Sequence, residues 1–280
     1  MSTASTAVSW DGFRWLIVDE HSKVVLSKGE LSVLRALQLL PCNVFVDVGA
    51  HVGYYTVRMA KKCGRVVAFE PNPRNREILL KNVVLNDMRN VAVFAYAVGE
   101  TRYKARLWLA GTGSTLLPGY VSGESIEVDV VPLDEVVEYA DIIKIDVEGY
   151  DWKVVQGMRK LVEKYRPTLI IEHHDFRHYK ISDYPKIKSY LKSLGYIEIY
   201  LTTPHRLYYH KSRDLNIIKP LIADHWINHC IMNLEQGRPW YYGLPYTWWW
   251  GMNLIDFIYE IREHVLRDDE PLWVDILARG

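Results

Sequence analysis

The 280-residue sequence has no net charge, 34 basic residues balancing 34 acidic ones. A chain without an excess of either sign sets up no global field toward nucleic acid or an anionic membrane, so neither is expected as a partner. Cysteine is scarce as well. Cys42, Cys63 and Cys230 are odd in number and far apart, which argues against a disulfide framework and fits a reducing compartment, with the cytoplasm as the expected location. No run reaches the ~18–20 apolar residues of a membrane span. Met1 to Ser9 lacks the basic and apolar regions of a secretory signal, and internal repeats and low-complexity linkers are missing too. What remains is a soluble chain with 49% hydrophobic residues, ample for a packed core.

The informative stretch is Val44 to Thr56. Asn43 to Val48 reads as a buried strand, a loop with Gly49 and Gly53 follows, and an apolar-periodic segment from Tyr54 to Met59 opens a helix. Glycine lets backbone approach a ligand closely, and the first helical turn offers unpaired N–H groups, so the loop is a cofactor-site candidate. Asp47 stands where a G-x-G-x-x-G fingerprint would have its first glycine. A carboxylate there repels a pyrophosphate but accepts hydrogen bonds from an ammonium group, which points to a zwitterionic or cationic ligand such as S-adenosylmethionine. A second strand, Arg65 to Glu70, ends in an acid whose two oxygens suit the vicinal diol of a ribose.

Phe13 to Asp19 and Val24 to Ser27 are expected to form a hairpin, and Ser27 with Glu30 has capping-box spacing before a helix faced by Leu31, Leu34 and Leu37. Asn72 as N-cap and Pro73 open a helix whose sheet-facing stripe is Leu79, Leu80, Val83 and Val84. Val91 to Tyr96 is the third strand. Lys104 to Leu109 and Ser125 to Val131 read as an antiparallel insertion with a glycine-rich tip, either a lid or a solvated connection. Asp141 to Val147 is the fourth strand, followed by one helix carrying Val154, Val155, Met158, Leu161 and Val162. Thr168 to Ile171 is the fifth, and after a helix over Ile187 to Leu194 come Tyr196 to Leu201 and Leu207 to His210. The expected fold is α/β, a doubly wound, mostly parallel Rossmann-like sheet. Residues 1–42 would be an N-terminal hairpin and helix, 43–212 the core, and 213–280 a helical, aromatic-rich extension packed on it.

Four motifs carry a resemblance: Val46-Asp-Val-Gly-Ala-His-Val-Gly-Tyr-Tyr55, Ala68-Phe-Glu-Pro-Asn-Pro73, Ile143-Lys-Ile-Asp-Val-Glu-Gly149 and Ile170-Ile-Glu-His173. With them the chain resembles the FkbM-type family of S-adenosylmethionine-dependent methyltransferases, over about Asn43 to Leu201; the tail after Ser212 lies outside it. The resemblance implies a class I methyltransferase core and methyl transfer, commonly to hydroxyl oxygens of sugars or polyketide-like molecules. It also implies that Asp47, Gly49 and Gly53 line the methionine end of the cofactor, that Glu70 holds the ribose, and that Ala97 and Val98 border the adenine. Ala50, His51, Tyr54, Pro71, Asn72 and Asp146 complete the expected cofactor set. His51 departs from the asparagine expected in this loop.

Asp47, Glu70, Asp146 and Glu172 all fall at C-terminal strand ends, where open α/β sheets bind ligands. Methylating a hydroxyl requires in-line placement and removal of its proton. Asp146, Glu148, Glu172, His173 and His174 are the candidate bases, with Asp146 or His173 favoured because an ordinary histidine pKa of about 6.5 suits neutral pH. Glu148 has an equally good structural role beside a helix N-terminus. The same cluster offers ligands to a divalent metal, but metal-free transfer is the favoured reading and no metal ligand is assigned. His225 and His229, spaced i, i+4 without the glutamate of H-E-x-x-H, make a weak zinc signal. The aromatic stretch Trp240 to Trp250 reads mainly as core or interface packing, with one or two rings left to face a sugar. A small-molecule or glycan acceptor is expected, and a homo-oligomer is compatible. Two alternatives stand beside this reading: a nicotinamide-dependent oxidoreductase, which Asp47 and the missing glycine disfavour, and a non-catalytic scaffold retaining the fold.

Overall fold

The computed structural model describes residues 4–27, 30–110, 113–119, 123–174, 183–202, 204–235 and 237–239, with residues 254, 255 and 258. The aromatic stretch Trp240 to Trp250, most of the expected helical extension beyond it and the side chain of His229 lie outside the described residues.

In chain order the elements are β1 (Ser5–Val8), β2 (Arg14–Ile17), α1 (Leu31–Leu39), β3 (Val44–Val48), α2 (Tyr54–Lys62), β4 (Arg65–Phe69), α3 (Pro73–Leu85) and β5 (Val91–Phe94). Then come β6 (Ala97–Val98), β7 (Tyr103–Trp108), β8 (Ser125–Val131), β9 (Ile142–Ile145), α4 (Asp151–Gly157), α5 (Arg159–Tyr165) and β10 (Thr168–Glu172). The chain continues with α6 (Tyr184–Ser193), β11 (Tyr196–Tyr200), β12 (His205–His210) and α7 (Lys219–Glu235). The main sheet has the order β11-β12-β10-β9-β3-β4-β5. Strands β10, β9, β3, β4 and β5 are parallel, and β12 is antiparallel to both its neighbours. This is the doubly wound class I methyltransferase architecture the sequence predicts, with the expected antiparallel pair at one edge. Insertion strands β7 and β8 pair antiparallel, as expected, in a small separate sheet with β6.

Because side chains alternate along a strand, the sheet feeds two cores. Phe45, Ala68, Ile142 and Ile170 face one, with Leu37 of α1, Val57 of α2 and Leu221 of α7. Val46, Phe69, Ile143 and Ile171 face the other, with Val154, Leu161 and Ile187. The same parity sends Asp47, Lys144 and Glu172 toward the α1–α2 side.

Several local expectations are corrected. The N-terminal hairpin is β1 with β2, so the first expected strand pairs with the segment before it rather than the one after, and His21–Leu26 is 3-10 helix. Glu30, not Ser27, stands at the N-cap of α1, and it makes no side-chain cap there. On α3, Asn72 accepts from Arg74 N–H at 3.0 Å and caps the helix as expected, but Leu80 and Val84 of the predicted stripe are exposed. The single helix expected after β9 is two, α4 and α5. Among the described residues no helix is long and apolar enough to cross a membrane.

Cys42 and Cys63 form a disulfide, contrary to the reading of the cysteine count, and Cys230 is free and buried. Strand β3 runs out from Cys42 and α2 returns to Cys63, bringing two residues 21 apart in sequence to a Cα separation of 5.1 Å. The argument for a reducing compartment goes with the disulfide-free expectation. Closing a loop of this length stabilises by about 3 kcal/mol through the unfolded state. Urea denaturation in the presence of dithiothreitol should therefore show a lower midpoint, whereas an unchanged midpoint contradicts the bridge.

Candidate active site

A cavity of about 300 Å³ opens at the C-terminal edge of the sheet, where β3 lies between β4 and β9 and the direction of winding reverses. Its floor is the loop after β3. The N–H groups of Gly49 and Ala50 both donate to Phe69 O at 3.0 Å, so the end of β4 shapes the loop before any ligand does. Gly49 has φ +84°, and a Cβ on it would stand 1.8 Å from Asp146 O, so only glycine crosses the end of β9 here. Gly53 starts α2 in the left-handed region at φ +95°, and a Cβ there would meet Leu79 Cδ1 at 2.5 Å.

His51, also left-handed at φ 50°, places its ring in the cleft wall. Burial depresses its pKa to about 4, so the ring is neutral at pH 7, and Nε2 is buried without a hydrogen-bond partner. Its N–H donates to Glu70 Oε2 at 2.7 Å, and Asn72 N–H donates to Oε1 at 2.9 Å. These bonds fix the Glu70 carboxylate while each oxygen keeps a further acceptor site. Burial outweighs them and raises its pKa to about 7. Beyond Glu70 the wall turns apolar, with Phe69, Tyr96, Ala97, Val98, Leu107 and Leu116. Leu107 and Leu116 come from the insertion, and Asn72 Nδ2 donates to Ser114 Oγ at 3.3 Å, so that hairpin closes one end of the cleft.

The other end is acidic. Glu30, Asp146, Glu148 and Glu172 line it, with Lys144 the cation among them. Lys144 is 1% exposed, its Nζ 3.0 Å from Asp146 Oδ2 and 4.7 Å from the centre of the Tyr55 ring. Burial alone would discharge it, but Asp146, Glu172, Asp47 and Glu30 outweigh that and hold its pKa up. Burial would likewise raise Asp146, yet Lys144 first and then His174 keep it well below the carboxylate range. Glu148 is left-handed at φ 50°. Burial lifts its pKa to about 7, opposed by His174, whose Nε2 lies 3.2 Å from Glu148 Oε2 and 3.4 Å from Glu172 Oε1.

Of the residues expected at the site, Gly49, Ala50, His51, Tyr54, Glu70, Pro71, Ala97, Val98 and Asp146 border the cleft, as do Glu148 and Glu172. Asp47, Gly53 and Asn72 stand behind that surface. Asp47 is 1% exposed, accepts from Thr56 Oγ1 at 2.6 Å and pairs in register with Lys144, which leaves Oδ1 without a partner. It ties α2 to β3 beneath the loop. His173 is turned away altogether. Its Nε2 is 2.8 Å from Tyr208 Oη, and its ring packs edge-on to Tyr184. Burial, aided by Arg206, drives its pKa down to about 3. His225 likewise is used structurally, with Nδ1 accepting from Tyr200 N–H at 2.7 Å. Sequence reasoning missed Glu30, Lys144 and Tyr55. Lys144 had a visible signal, a lone charge inside the apolar run Ile-Ile-Lys-Ile; the spacing of Glu30 pointed to a cap instead.

Residues 47–198, more than half of the chain, match the methyltransferase FkbM domain family. The methyltransferase sdnD of Sordaria araneosa is 27% identical over 161 residues, covering 42% of this chain and 62% of its own. The hexuronic acid methyltransferase AglP of Haloferax volcanii is 25% identical over 166 residues, covering 56% of this chain and 67% of its own. Among solved structures, a methyltransferase FkbM from Methylobacillus flagellatus KT overlaps at a TM-score of 0.46 and 21% identity, over 60% of this chain and 44% of that one. The chain thus spans about two thirds of these curated relatives and less than half of that solved chain. Taken with the motifs and the sheet order, the domain match shows that the chain belongs to the FkbM methyltransferase family.

Proposed function

We propose that this chain is an S-adenosylmethionine-dependent O-methyltransferase acting on a hydroxyl of a sugar or glycoconjugate. The observation that carries the reading is the polarity of the cleft: an anchored carboxylate with spare acceptor sites, Glu70, beside an apolar wall at one end, and a group of acids at the other. The donor set fits the cofactor. Glu70 would hold the ribose diol, Ala97 and Val98 would border the adenine, and His51 Nε2 is a buried polar atom in want of a partner. The acidic end suits the cofactor's positive charges. When bound, S-adenosylmethionine supplies an electrophilic methyl group on a sulfonium.

The chain's own residues supply position and a proton acceptor. Methylation of a hydroxyl forms a C–O bond, breaks the bond from the methyl carbon to sulfur, whose electron pair stays on sulfur, and releases the hydroxyl proton. Glu148 is the group suited to take it: it borders the cleft, its pKa of about 7 matches neutral pH, and His174 holds its Oε2. Asp146, paired with Lys144 and held far below that range, orients rather than accepts. The likeness to the hexuronic acid methyltransferase of Haloferax supports a sugar acceptor.

Incubation with methyl-labelled S-adenosylmethionine and a panel of neutral sugars, uronates and glycoconjugates should label an acceptor oxygen. At saturating cofactor, kcat should rise with pH through about 7, because the ionised Glu148 is the active form. Asp146, Glu172, His174 and Lys144 all act on that titration. Label appearing only on protein or nucleic acid contradicts the acceptor assignment, and a flat profile contradicts the assignment of Glu148.

A further inference from the structure

One group beside the cleft, with two of its three members on the wall, supplies no proton acceptor in that mechanism. Glu30 before α1, Glu172 at the end of β10 and His205 at the start of β12 converge, although two of the three lie outside the matched domain. Glu172 and His205 are cross-strand partners, with Nε2 3.0 Å from Oε2, and Glu30 Oε2 lies 4.0 Å from the same nitrogen. Donors that share one ion at ~2.1 Å stand roughly 3.0–4.2 Å apart, a range that holds both distances to His205 Nε2, and all three donor atoms lie within 4.8 Å of one another. His205 is 2% exposed, and neither ring nitrogen has a hydrogen-bond partner; the 3.0 Å approach to Glu172 lacks hydrogen-bond alignment. A buried imidazole beside two carboxylates and hydrogen-bonded to neither leaves room for a cation shared by all three. The charge balance agrees. Asp146, Glu172, Asp47 and Glu30 all act on Lys144, which is already committed to Asp146.

We propose that Glu30, Glu172 and His205 bind a divalent transition-metal cation at the edge of the cleft, which the two carboxylates line. Two carboxylates and an imidazole suit Mn²⁺ or Zn²⁺, and three protein donors leave coordination positions open for an oxygen of the acceptor. Resting on the methyltransferase reading, this adds a role: an acceptor hydroxyl on the ion is held in place and gives up its proton more readily. Tyr55 Oη donates to Glu30 Oε2, the oxygen that approaches His205, and steadies that carboxylate while leaving it a second acceptor site. The neighbouring group Asp146, Glu148 and His174 is the poorer site because Lys144 already occupies Asp146.

The test is Mn²⁺ binding to the EDTA-stripped full chain, followed by electron paramagnetic resonance, with S-adenosylhomocysteine affinity measured in parallel by calorimetry. Wild type should bind one Mn²⁺. Glu30→Gln and His205→Gln should each weaken that by about tenfold or more, and His205→Gln should leave S-adenosylhomocysteine affinity unchanged. Should the His205 variant fail to fold, Glu30→Gln decides alone. Absence of Mn²⁺ binding, or binding that survives both substitutions, overturns the proposal, as does binding lost only in Glu148→Gln. A failure of the methyltransferase reading shows separately, as a lack of S-adenosylhomocysteine binding by the wild type.

Discussion

Glu148→Gln should lower kcat by about 10²–10⁴-fold while leaving S-adenosylmethionine affinity within about twofold, the signature of a lost proton acceptor. The amide keeps the shape and a hydrogen bond to His174 but cannot take a proton at neutral pH. Glu70 and the Gly49 loop, which hold the cofactor in this account, are untouched. The corresponding change at His173 should leave the pH profile in place, because that ring is spent on Tyr208 and Tyr184 behind the sheet. Steady-state kinetics with cofactor calorimetry separate the two cases. A Glu148→Gln enzyme of near wild-type kcat would remove Glu148 as base.

Gly49→Ala should destabilise the chain by about 4 kcal/mol or more, among the largest effects of any single substitution. The added methyl would overlap the Asp146 carbonyl at 1.8 Å, and backbone fixed by the β3–β9 ladder cannot retreat. The positive φ adds strain of its own. Gly53→Ala makes the informative contrast. Its methyl would meet the end of the Leu79 side chain at 2.5 Å, a group able to turn aside, so its cost should stay near the 1–3 kcal/mol typical of backbone strain. Urea titrations of both variants check the order, and equal losses would contradict the tight crossing at Gly49.

Much of the site was legible because strand ends are legible. Apolar runs closing on Asp47, Glu70 and Glu172 marked the edge where ligands bind, and the four motifs set their order. His173 shows a rule left unapplied. Alternation continues past the end of β10, so Glu172 and His173 face opposite sides and only one reaches the cleft. The convergence of Glu30 and His205 had no local signal, since it depends on β12 inserting antiparallel beside β10 and on the segment before α1 reaching the cleft. The disulfide was hidden for a similar reason: spacing along the chain says nothing of a strand and helix that return to the same point.

The most direct test is calorimetric titration of S-adenosylhomocysteine into the wild-type chain and Glu70→Gln. In the variant one acceptor oxygen becomes a donor facing the His51 or Asn72 N–H and the ribose. The account predicts one cofactor per wild-type chain and an affinity about 10–100-fold weaker in the variant, as for a charged hydrogen-bond partner lost from a buried site. No binding by the wild type, or equal affinity in both, would contradict it.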